Sequence, residues 1–430
     1  MNSTTGRRDQ HTLLVIITAT ALAFVLFGFA VDTPAQVVRG IGDIVFARDL
    51  VVTDFVGVGG LGGAFAQAGL VTLVACLAFR LTGAPVNGDA VACLLLLLGT
   101  SLYGKTLLNI WPIIAGVALY AVVRGDRLAD YVSTAFFATA LSPIFSVLVF
   151  TTALPAWAGI ALGVSTSVLI GFVVPPVARR LFHTHAGYSL YNMGFVAGVV
   201  GAVIVAVYQA FGLGPQPEMA WTSGHNTAIL VLLTICLVAM LVAAFVCDRS
   251  PWRAYARLLR NDGRAPSDFL ADYGAGAVLL NIAVIGALAV GYVLVIGAPL
   301  NGPVVAGILS VIGFGACGKH ALNIVPIVVG VVLAGLLKPL ELTDPGMIWA
   351  ALFGTCLAPI AGRFGPQWGV VAGFLHASTA QVTGVLVVGL NLYGNGFAAG
   401  LVAAVVAPVA AFLAHPRRTP GTVDKPVPAA

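Results

Sequence analysis

Long apolar runs separated by short polar links dominate the chain, and they occur as seven runs in each half. Most runs hold about 20 residues, the length that an α-helix needs to cross the hydrocarbon core of a bilayer. In the first half the runs lie near 11–32, 59–82, 87–102, 106–123, 129–151, 155–174 and 187–212. In the second half they lie near 225–247, 273–296, 302–317, 320–337, 347–361, 367–386 and 391–414. The pattern predicts an all-α integral membrane protein with about 14 membrane segments.

The third and fourth runs of each half are shorter than the others and are joined by a tight Gly-Lys link. Hydropathy leaves two arrangements open for each pair, namely two full spans or a re-entrant hairpin built on interrupted helix. The parity of crossings is the same in both cases, because a hairpin removes two crossings from seven and leaves an odd number.

The two halves are copies of one unit. Residues 297–337 repeat residues 83–123 at a constant offset of 214, without a gap and with 19 of the 41 aligned pairs identical. Matching blocks extend the unit in both directions, for example GYSLYNMGFVAG from Gly187 and GLNLYGNGFAAG from Gly389. An internal repeat of this length means that one membrane domain occurs twice.

The repeat sets the predicted domain boundaries. The first membrane repeat is expected to cover 1–213 and the second 214–414, with a basic cytoplasmic loop at 248–267 and a disordered cytoplasmic tail at 415–430. Because each unit crosses the membrane an odd number of times, the second repeat is expected to be inverted relative to the first.

The distribution of basic residues agrees with inversion. With the N-terminus in the cytoplasm, the loops at Arg124 and Arg179, the loop at 248–267 and the tail all fall inside, as the positive-inside rule requires. The loops predicted outside contain no Lys or Arg, namely 152–154, 213–224, 297–301 and 387–390. Three basic residues depart from the rule, each near acidic residues: Arg39, Arg48 and Lys338. Both termini are therefore predicted to be cytoplasmic.

Composition narrows the class of protein. Hydrophobic residues make up 59% of the chain and charged residues 9%, whereas soluble domains carry about 25% charged residues. So few charges cannot cover a water-exposed surface, so the lipid bilayer is the expected partner. The scattered net charge of +5 does not indicate nucleic-acid binding. High Ala, Gly, Val and Arg usage favours a bacterial cytoplasmic (inner) membrane protein.

No enzyme signature occurs in the chain. It contains no HExxH, GxSxG or phosphate-binding loop, and the six cysteines form no CxxC pair. We therefore expect no cofactor, no metal and no catalytic activity.

Each unit carries the motif Gly-Lys-x-x-x-Asn-x-x-Pro at the start of its fourth run. Spacings of four and three would place the three side chains on one helical face, and the proline would free an upstream carbonyl. A lysine near an apolar core indicates a functional site by default, and snorkelling to the headgroups is an equally good explanation. The predicted substrate-binding residues are Lys105, Asn109, Pro112, Lys319, Asn323 and Pro326.

Other polar residues extend the candidate site. Asn87 and Asn301 open the third runs, where a helix N-terminus offers free N–H groups to an anionic or carbonyl group. Asp54 and Asp268 stand at the start of the second runs, where helix capping is favoured and coupling to a proton or ion is the alternative. His376 has no metal-ligand neighbours, and packing between helices is favoured over proton or ion coupling for it.

The paired GAPxNG and GKxxxNIxPI cores and the two GxxLYxxGFxAG blocks resemble an uncharacterised family of bacterial membrane proteins with a duplicated domain of unknown function. The resemblance covers nearly the whole chain and implies the duplicated membrane fold but no substrate. The seven-plus-seven inverted plan is also similar in architecture to the nucleobase/ascorbate and sulfate permeases, whose substrate-site motifs are absent here.

Two inverted units create a central site that either side of the membrane can expose, which is the usual plan of secondary transporters. We therefore expect secondary transport of a small polar solute, with an anion favoured by the paired lysines. The alternatives are an ion or solute channel and a membrane subunit of a larger transport complex. The expected ligand is a small molecule or an ion. The sequence is compatible with both a monomer and a homo-oligomer.

Overall fold

A computed structural model describes residues 3–47, 53–213 and 219–414, and these residues are helical apart from turns, links and one isolated bridge between Thr53 and Ala220. The helices of the first repeat are α1 (Ser3–Val31), α2 (Pro34–Val45), α3 (Phe55–Thr82), α4 (Gly88–Thr100), α5 (Trp111–Arg124), α6 (Val132–Ala138), α7 (Pro143–Phe150), α8 (Ala156–His185) and α9 (Asn192–Ala210). Those of the second are α10 (Asn226–Cys247), α11 (Trp252–Leu258), α12 (Phe269–Val295), α13 (Gly302–Gly313), α14 (Ala321–Leu337), α15 (Pro345–Gly354), α16 (Ala358–Phe364), α17 (Pro366–Leu386) and α18 (Gly394–Ala414).

Nine helical segments among the described residues are long and apolar enough to cross a membrane, with α15 and α16 counted as one. The stretch containing α6 and α7 passes the same test as a pair bent by 45°. Four further apolar helices are shorter, namely α4, α5, α13 and α14. The prediction of an all-α membrane protein built from two repeats is confirmed, and the short helices are the third and fourth runs of each repeat.

The equivalent helices α3 and α12 begin and bend in the same way. Asp54 and Asp268 cap them, each accepting a hydrogen bond from the backbone N–H two residues further on. Each helix then breaks at a glycine with positive φ, Gly60 at 72° and Gly274 at 81°. Glycine adopts this backbone conformation without a Cβ clash, so the duplicated sequence produces a duplicated kink.

The helix α2 is an element that the apolar runs did not predict. Thr33 and Gln36 form a capping box at its start, which satisfies backbone N–H groups that have no partner within the helix. Its buried positions recur every three or four residues, so it is amphipathic and too short to appear as a membrane segment. Gly40 packs directly against the backbone of Gly59 in α3.

The short helices α4 and α13 pack against each other where the two repeats meet. Gly99, near the end of α4, contacts Ala306, near the start of α13, and Gly313 at the end of α13 contacts Ala92 near the start of α4. The pair is therefore antiparallel. Every residue of α13 and every residue of α4 except Asp89 is buried, and the small residues allow the backbones to approach closely.

The third and fourth runs of the first repeat form a hairpin of two short apolar helices, 13 and 14 residues long. Asn87 immediately precedes α4 and Asp126 follows α5, and both line the same cavity. A helix pair that starts and ends on one side of the molecule enters and returns. Its tip is the link at 101–110, and the equivalent tip of the second repeat is the segment 314–320 between α13 and α14.

Some predicted features lie outside the described residues. These are the tail at 415–430, Arg48, and the segment 214–218 at the predicted boundary between the repeats. The basic loop at 248–267 is described and contains the short helix α11.

Candidate functional site

The two hairpin tips are held by the same kind of buried amide. Gln67 Nε2 donates hydrogen bonds to the carbonyls of Ser101 at 2.7 Å and Lys105 at 3.1 Å. Asn281, the equivalent residue of α12, donates to the carbonyl of Lys319 and to the carbonyl four residues earlier, both at 2.8 Å. These bonds satisfy backbone carbonyls that would otherwise be buried without a donor.

The motif asparagines fasten the tips from within. Asn109 Nδ2 donates to the carbonyl of Gly104 at 2.9 Å, and its Oδ1 accepts from the N–H three residues earlier at 2.9 Å. Asn323 makes the same two bonds, with the carbonyl of Gly318 at 2.8 Å and with the N–H three residues earlier at 2.8 Å. Both side chains therefore hold the turn that carries the lysine.

The motif residues do not share one helical face, contrary to the prediction from their spacing. Lys105 and Asn109 lie in the link before α5, and Lys319 precedes α14. The reason is that the asparagine side chains hold the tip in a turn. Pro112 is the second residue of α5, so no helical turn precedes it, whereas Pro326 lies inside α14. Neither proline lines the cavity described below.

Each motif lysine donates a hydrogen bond to a tyrosine of the opposite repeat. Lys105 Nζ lies 2.6 Å from Tyr393 Oη, and Lys319 Nζ lies 2.7 Å from Tyr191 Oη. Each ammonium also lies over the ring of its tyrosine, 4.7 Å and 4.6 Å from the centroid. Both lysines are 0% exposed, so neither reaches the surface as a snorkelling side chain would.

The tyrosines belong to two Leu-Tyr segments that cross between the repeats. The N–H of Leu190 donates to a carbonyl of the second repeat at 3.0 Å, and the N–H of Leu392 donates to a carbonyl of the first at 3.1 Å. The glycines around Tyr191 and Tyr393 in the sequence favour tight helix packing and do not indicate hydrogen bonds to the lysines. The recurrence of Leu-Tyr in both repeats was the available signal, but it did not indicate which residues they contact.

A cavity of about 960 Å³ lies between α4, α6, α8, α9 and the segment before α12. Asp89 and Leu96, seven residues apart on α4, both line it, so it extends about 10 Å along that helix at about 1.5 Å per residue. Tyr191 and Tyr393 also line it. The cavity therefore reaches the interface between the repeats, with the two lysines behind the tyrosines.

Asp54 and Asp268 each cap a helix of the other repeat as well as their own. Asp268 Oδ1 accepts from the N–H of Gly88 at the start of α4, at 3.1 Å, and Asp54 accepts from the backbone of Gly302 at the start of α13. Capping, the explanation favoured from the sequence, is thus present. The two residues differ in exposure, because Asp54 is buried beneath Thr222 whereas Asp268 lines the cavity.

Asn87 and Asn301 cap α4 and α13. Their side-chain oxygens accept from the backbone N–H groups of Ala90 at 2.9 Å and Val304 at 3.0 Å. Their oxygens therefore satisfy N–H groups that we expected to be open to a ligand, and Asn87 alone of the pair lines the cavity.

Asp89 is a cavity residue that sequence analysis missed. It lies in the first turn of α4 with its side chain exposed, and no hydrogen bond or ion pair to it is found among the described residues. Asp268 is near enough for the two carboxylates to repel each other. Pro303 occupies the equivalent position of the second repeat, so a comparison of the repeats passes over Asp89.

The opposite ends of α4 and α13 are closed by aromatic packing. The ring of Trp349 lies 5.6 Å from that of Tyr103 and 5.8 Å from that of Trp221. Trp349 Nε1 donates to the carbonyl of Pro303, at the start of α13, at 3.1 Å. At the cavity end the residue equivalent to Tyr103 is Cys317, which lines the cavity. The aromatic rings thus fill the space at the Trp349 end of the core, whereas the equivalent space at the other end is the cavity.

His376 lies away from these groups. It is 0% exposed, its Nε2 lies 3.1 Å from Asn395 Oδ1, and it does not line the cavity. The structure therefore places it between α17 and α18. Over the described ranges no group of three or more His, Cys, Asp or Glu residues could hold a metal ion.

A family model described as a protein of unknown function (DUF1576) matches the chain twice, over residues 33–210 and 248–412. The two matches begin 215 residues apart, close to the offset of the internal repeat. No curated protein and no solved structure matches the chain significantly.

Proposed function

The chain belongs to the DUF1576 family of proteins of unknown function, and we propose that it is a secondary transporter of a small polar solute that works by alternating access. The proposal is supported by the duplicated membrane fold, by the cavity that reaches the interface between the repeats, and by the aromatic closure at the other end. The family model matches each repeat separately, which agrees with the duplication.

The packing of α4 on α13 supports opposite membrane orientations for the two repeats. Equivalent helices that lie antiparallel are related by an axis perpendicular to their length. When such helices stand along the membrane normal, this axis lies in the membrane plane, as in inverted-repeat transporters. Each repeat crosses the membrane seven times if the hairpin spans it and five times if the hairpin is re-entrant, so both arrangements supply the odd parity that inversion needs. The arginine-bearing loops favour the same orientation.

The observation that carries the proposal is the difference between the two ends of one duplicated core. One end holds a cavity of about 960 Å³, and the other holds the packed rings of Tyr103, Trp221 and Trp349. We infer that these roles are exchanged in an alternative state of the duplicated core, as alternating access between two repeats requires. A permanently open channel would need both ends open at once.

A pair of equivalent positions tests alternating access. Thr134 lines the cavity, and Ala350, the equivalent residue of the second repeat, is 0% exposed beside Trp349. Single cysteines at these positions, introduced after Cys247 and Cys317 are replaced by serine, are treated with a membrane-impermeant thiol reagent in vesicles of both orientations. We expect position 134 to react from the predicted cytoplasmic side alone and position 350, more slowly, from the opposite side alone.

Two outcomes would contradict this proposal. Reaction of both positions from either side indicates a channel. Complete protection of position 350 under all conditions indicates a static membrane subunit of a larger complex.

A further inference from the structure

The wall of the cavity is acidic. Its acidic and basic side chains are Asp89, Asp126, Asp130, Asp268, Arg179 and His183. Asp126 lies 3.9 Å from Arg124 and accepts a hydrogen bond from Tyr131, so it already has partners. Four aspartates against one arginine give the wall an excess of negative charge, which raises the local concentration of cations, so this wall favours a cation over an anion.

Asp89 and Asp268 are the two cavity aspartates that have carboxylate oxygens available to a ligand. Asp89 makes no hydrogen bond or ion pair within the described part of the chain, and the three N–H groups that bond Asp268 all donate to Oδ1. The two carboxylates repel each other. A positive group between them would replace this repulsion with two attractive pairings.

The rest of the cavity suits an organic molecule rather than a bare ion. Its volume lies within the range of pockets that hold organic ligands, about 300–1,000 Å³. Tyr191 and Phe314 line it with ring centroids 4.6 Å apart, and aromatic faces bind both alkyl groups and ammonium groups. The Ser189 hydroxyl is 0% exposed, lines the cavity and lies beside the Cys356 thiol, with no oxygen or nitrogen partner among the described residues. Its oxygen therefore keeps a lone pair that can accept from the ligand.

The two lysines do not counter this assignment. They favoured an anion in the sequence, but both lie behind Tyr191 and Tyr393 and neither lines the cavity. Lys319 Nζ lies 4.6 Å from the ring centroid of Tyr191 and 5.2 Å from that of Phe314, so the hydrocarbon part of a cationic ligand, and not its charged group, belongs against these rings.

We propose that the cavity binds an organic amine, whose ammonium group pairs with Asp89 and Asp268 and whose hydrocarbon part lies against Tyr191 and Phe314. The movement of this amine across the membrane rests on the proposed transport function, whereas its binding does not.

Equilibrium binding to the full-length protein in lipid nanodiscs tests the assignment. Isothermal titration with tyramine, putrescine, succinate and sodium chloride compares an aromatic amine, a diamine, a dicarboxylate and an inorganic cation. We expect saturable tyramine binding that Asp89→Asn weakens at least tenfold, because an amide carries no charge. The matched control is Asp272→Asn, an exposed aspartate one turn beyond Asp268 that does not line the cavity, and its affinity should equal that of the wild type.

Asp89 has no partner to lose within the described structure, so its substitution should leave the melting temperature unchanged. Equal tyramine affinity in the wild type and Asp89→Asn would overturn the assignment, as would preferential binding of succinate. Sodium binding that depends on Asp89 without any amine binding would also overturn it. Failure of amine binding together with one-sided accessibility at positions 134 and 350 would reject the ligand class and leave the transport proposal standing.

Discussion

At the scale of single residues, the two buried lysines are matched to two tyrosines of the opposite repeat. A buried ammonium is stabilised only when its donors have partners, and Tyr393 and Tyr191 supply an oxygen at 2.6 Å and 2.7 Å. The pairs therefore link the repeats as well as fill the core. This explains why Lys105 and Lys319 can lie at the tips of hairpins without reaching water.

The Tyr393→Phe variant tests this pairing. It removes the oxygen that accepts from Lys105 while keeping the ring, and we expect the free energy of unfolding to fall by about 1.5–3 kcal/mol, the range for a hydrogen bond to a charged group. Thermal denaturation in detergent measures the change. Tyr255→Phe is the control, because no hydrogen bond to the Tyr255 hydroxyl is found in the described structure.

The Lys105–Tyr393 pair also allows a comparison between single and double variants. Adding Lys105→Met to Tyr393→Phe removes the unpaired charge, so the double variant should recover at least half of the lost stability. Strictly additive losses would show that the lysine does not depend on the tyrosine.

At the scale of elements, the repeated kinks of α3 and α12 shape the ends of the core. Both helices start at an aspartate that caps two helices and then break at glycine six residues later. The kink lets one helix begin beside the opposite repeat and continue along its own. A glycine at this point is therefore required by the backbone rather than by the space around it.

Alanine at Gly60 should strain the kink. The backbone there has φ 72° and ψ 170°, a region that costs about 1–3 kcal/mol for a residue with a Cβ, and we expect Gly60→Ala to lower the melting temperature. Gly291→Ala in α12 is the matched control, since a methyl group added there would have no other atom within 4 Å and the φ of Gly291 is not positive. It should keep or raise the melting temperature; a similar response of both variants would argue against the kink.

At the scale of the whole molecule, the duplicated core is open at one end and closed at the other. Closure depends on Trp349, which packs against the rings of Tyr103, Trp221 and Phe353 and whose Nε1 donates to a carbonyl at the start of α13. The equivalent position in the first repeat is Ser133, which cannot form such a cluster. Under the proposed alternating access, this difference between two side chains would bias which side is open.

Trp349→Ala should shift this balance. Each aromatic pair contributes about 0.5–1.5 kcal/mol, and about 1.4 kcal/mol corresponds to a tenfold change in an equilibrium. We expect about tenfold faster thiol labelling at position 350 and slower labelling at position 134. Trp157→Ala is the control, because Trp157 is 75% exposed on the surface of α8. Faster labelling at both positions would mean that the core has loosened rather than switched.

Much of the fold could be predicted from the sequence because it depends on local or repeated signals. Runs of about 20 apolar residues predicted the long helices, and the offset of 214 paired Lys105 with Lys319 and Asn109 with Asn323. The shared helical face of Lys105, Asn109 and Pro112 was predicted wrongly, because side-chain hydrogen bonds to the tip override the spacing. Asp89 was missed because it has no counterpart in the second repeat.

The sequence by itself determined that this protein lies in a membrane, that it is a duplicated domain, and which lysines and asparagines recur in both copies. These properties follow from hydropathy and from self-comparison, which need no knowledge of contacts. Only the tertiary structure decided that Lys105 meets Tyr393, 288 residues away, and that the cavity lies at one end of the core. The physical reason is that partners across the interface and the filling of one end by aromatic rings depend on how the two copies pack, which no local pattern records.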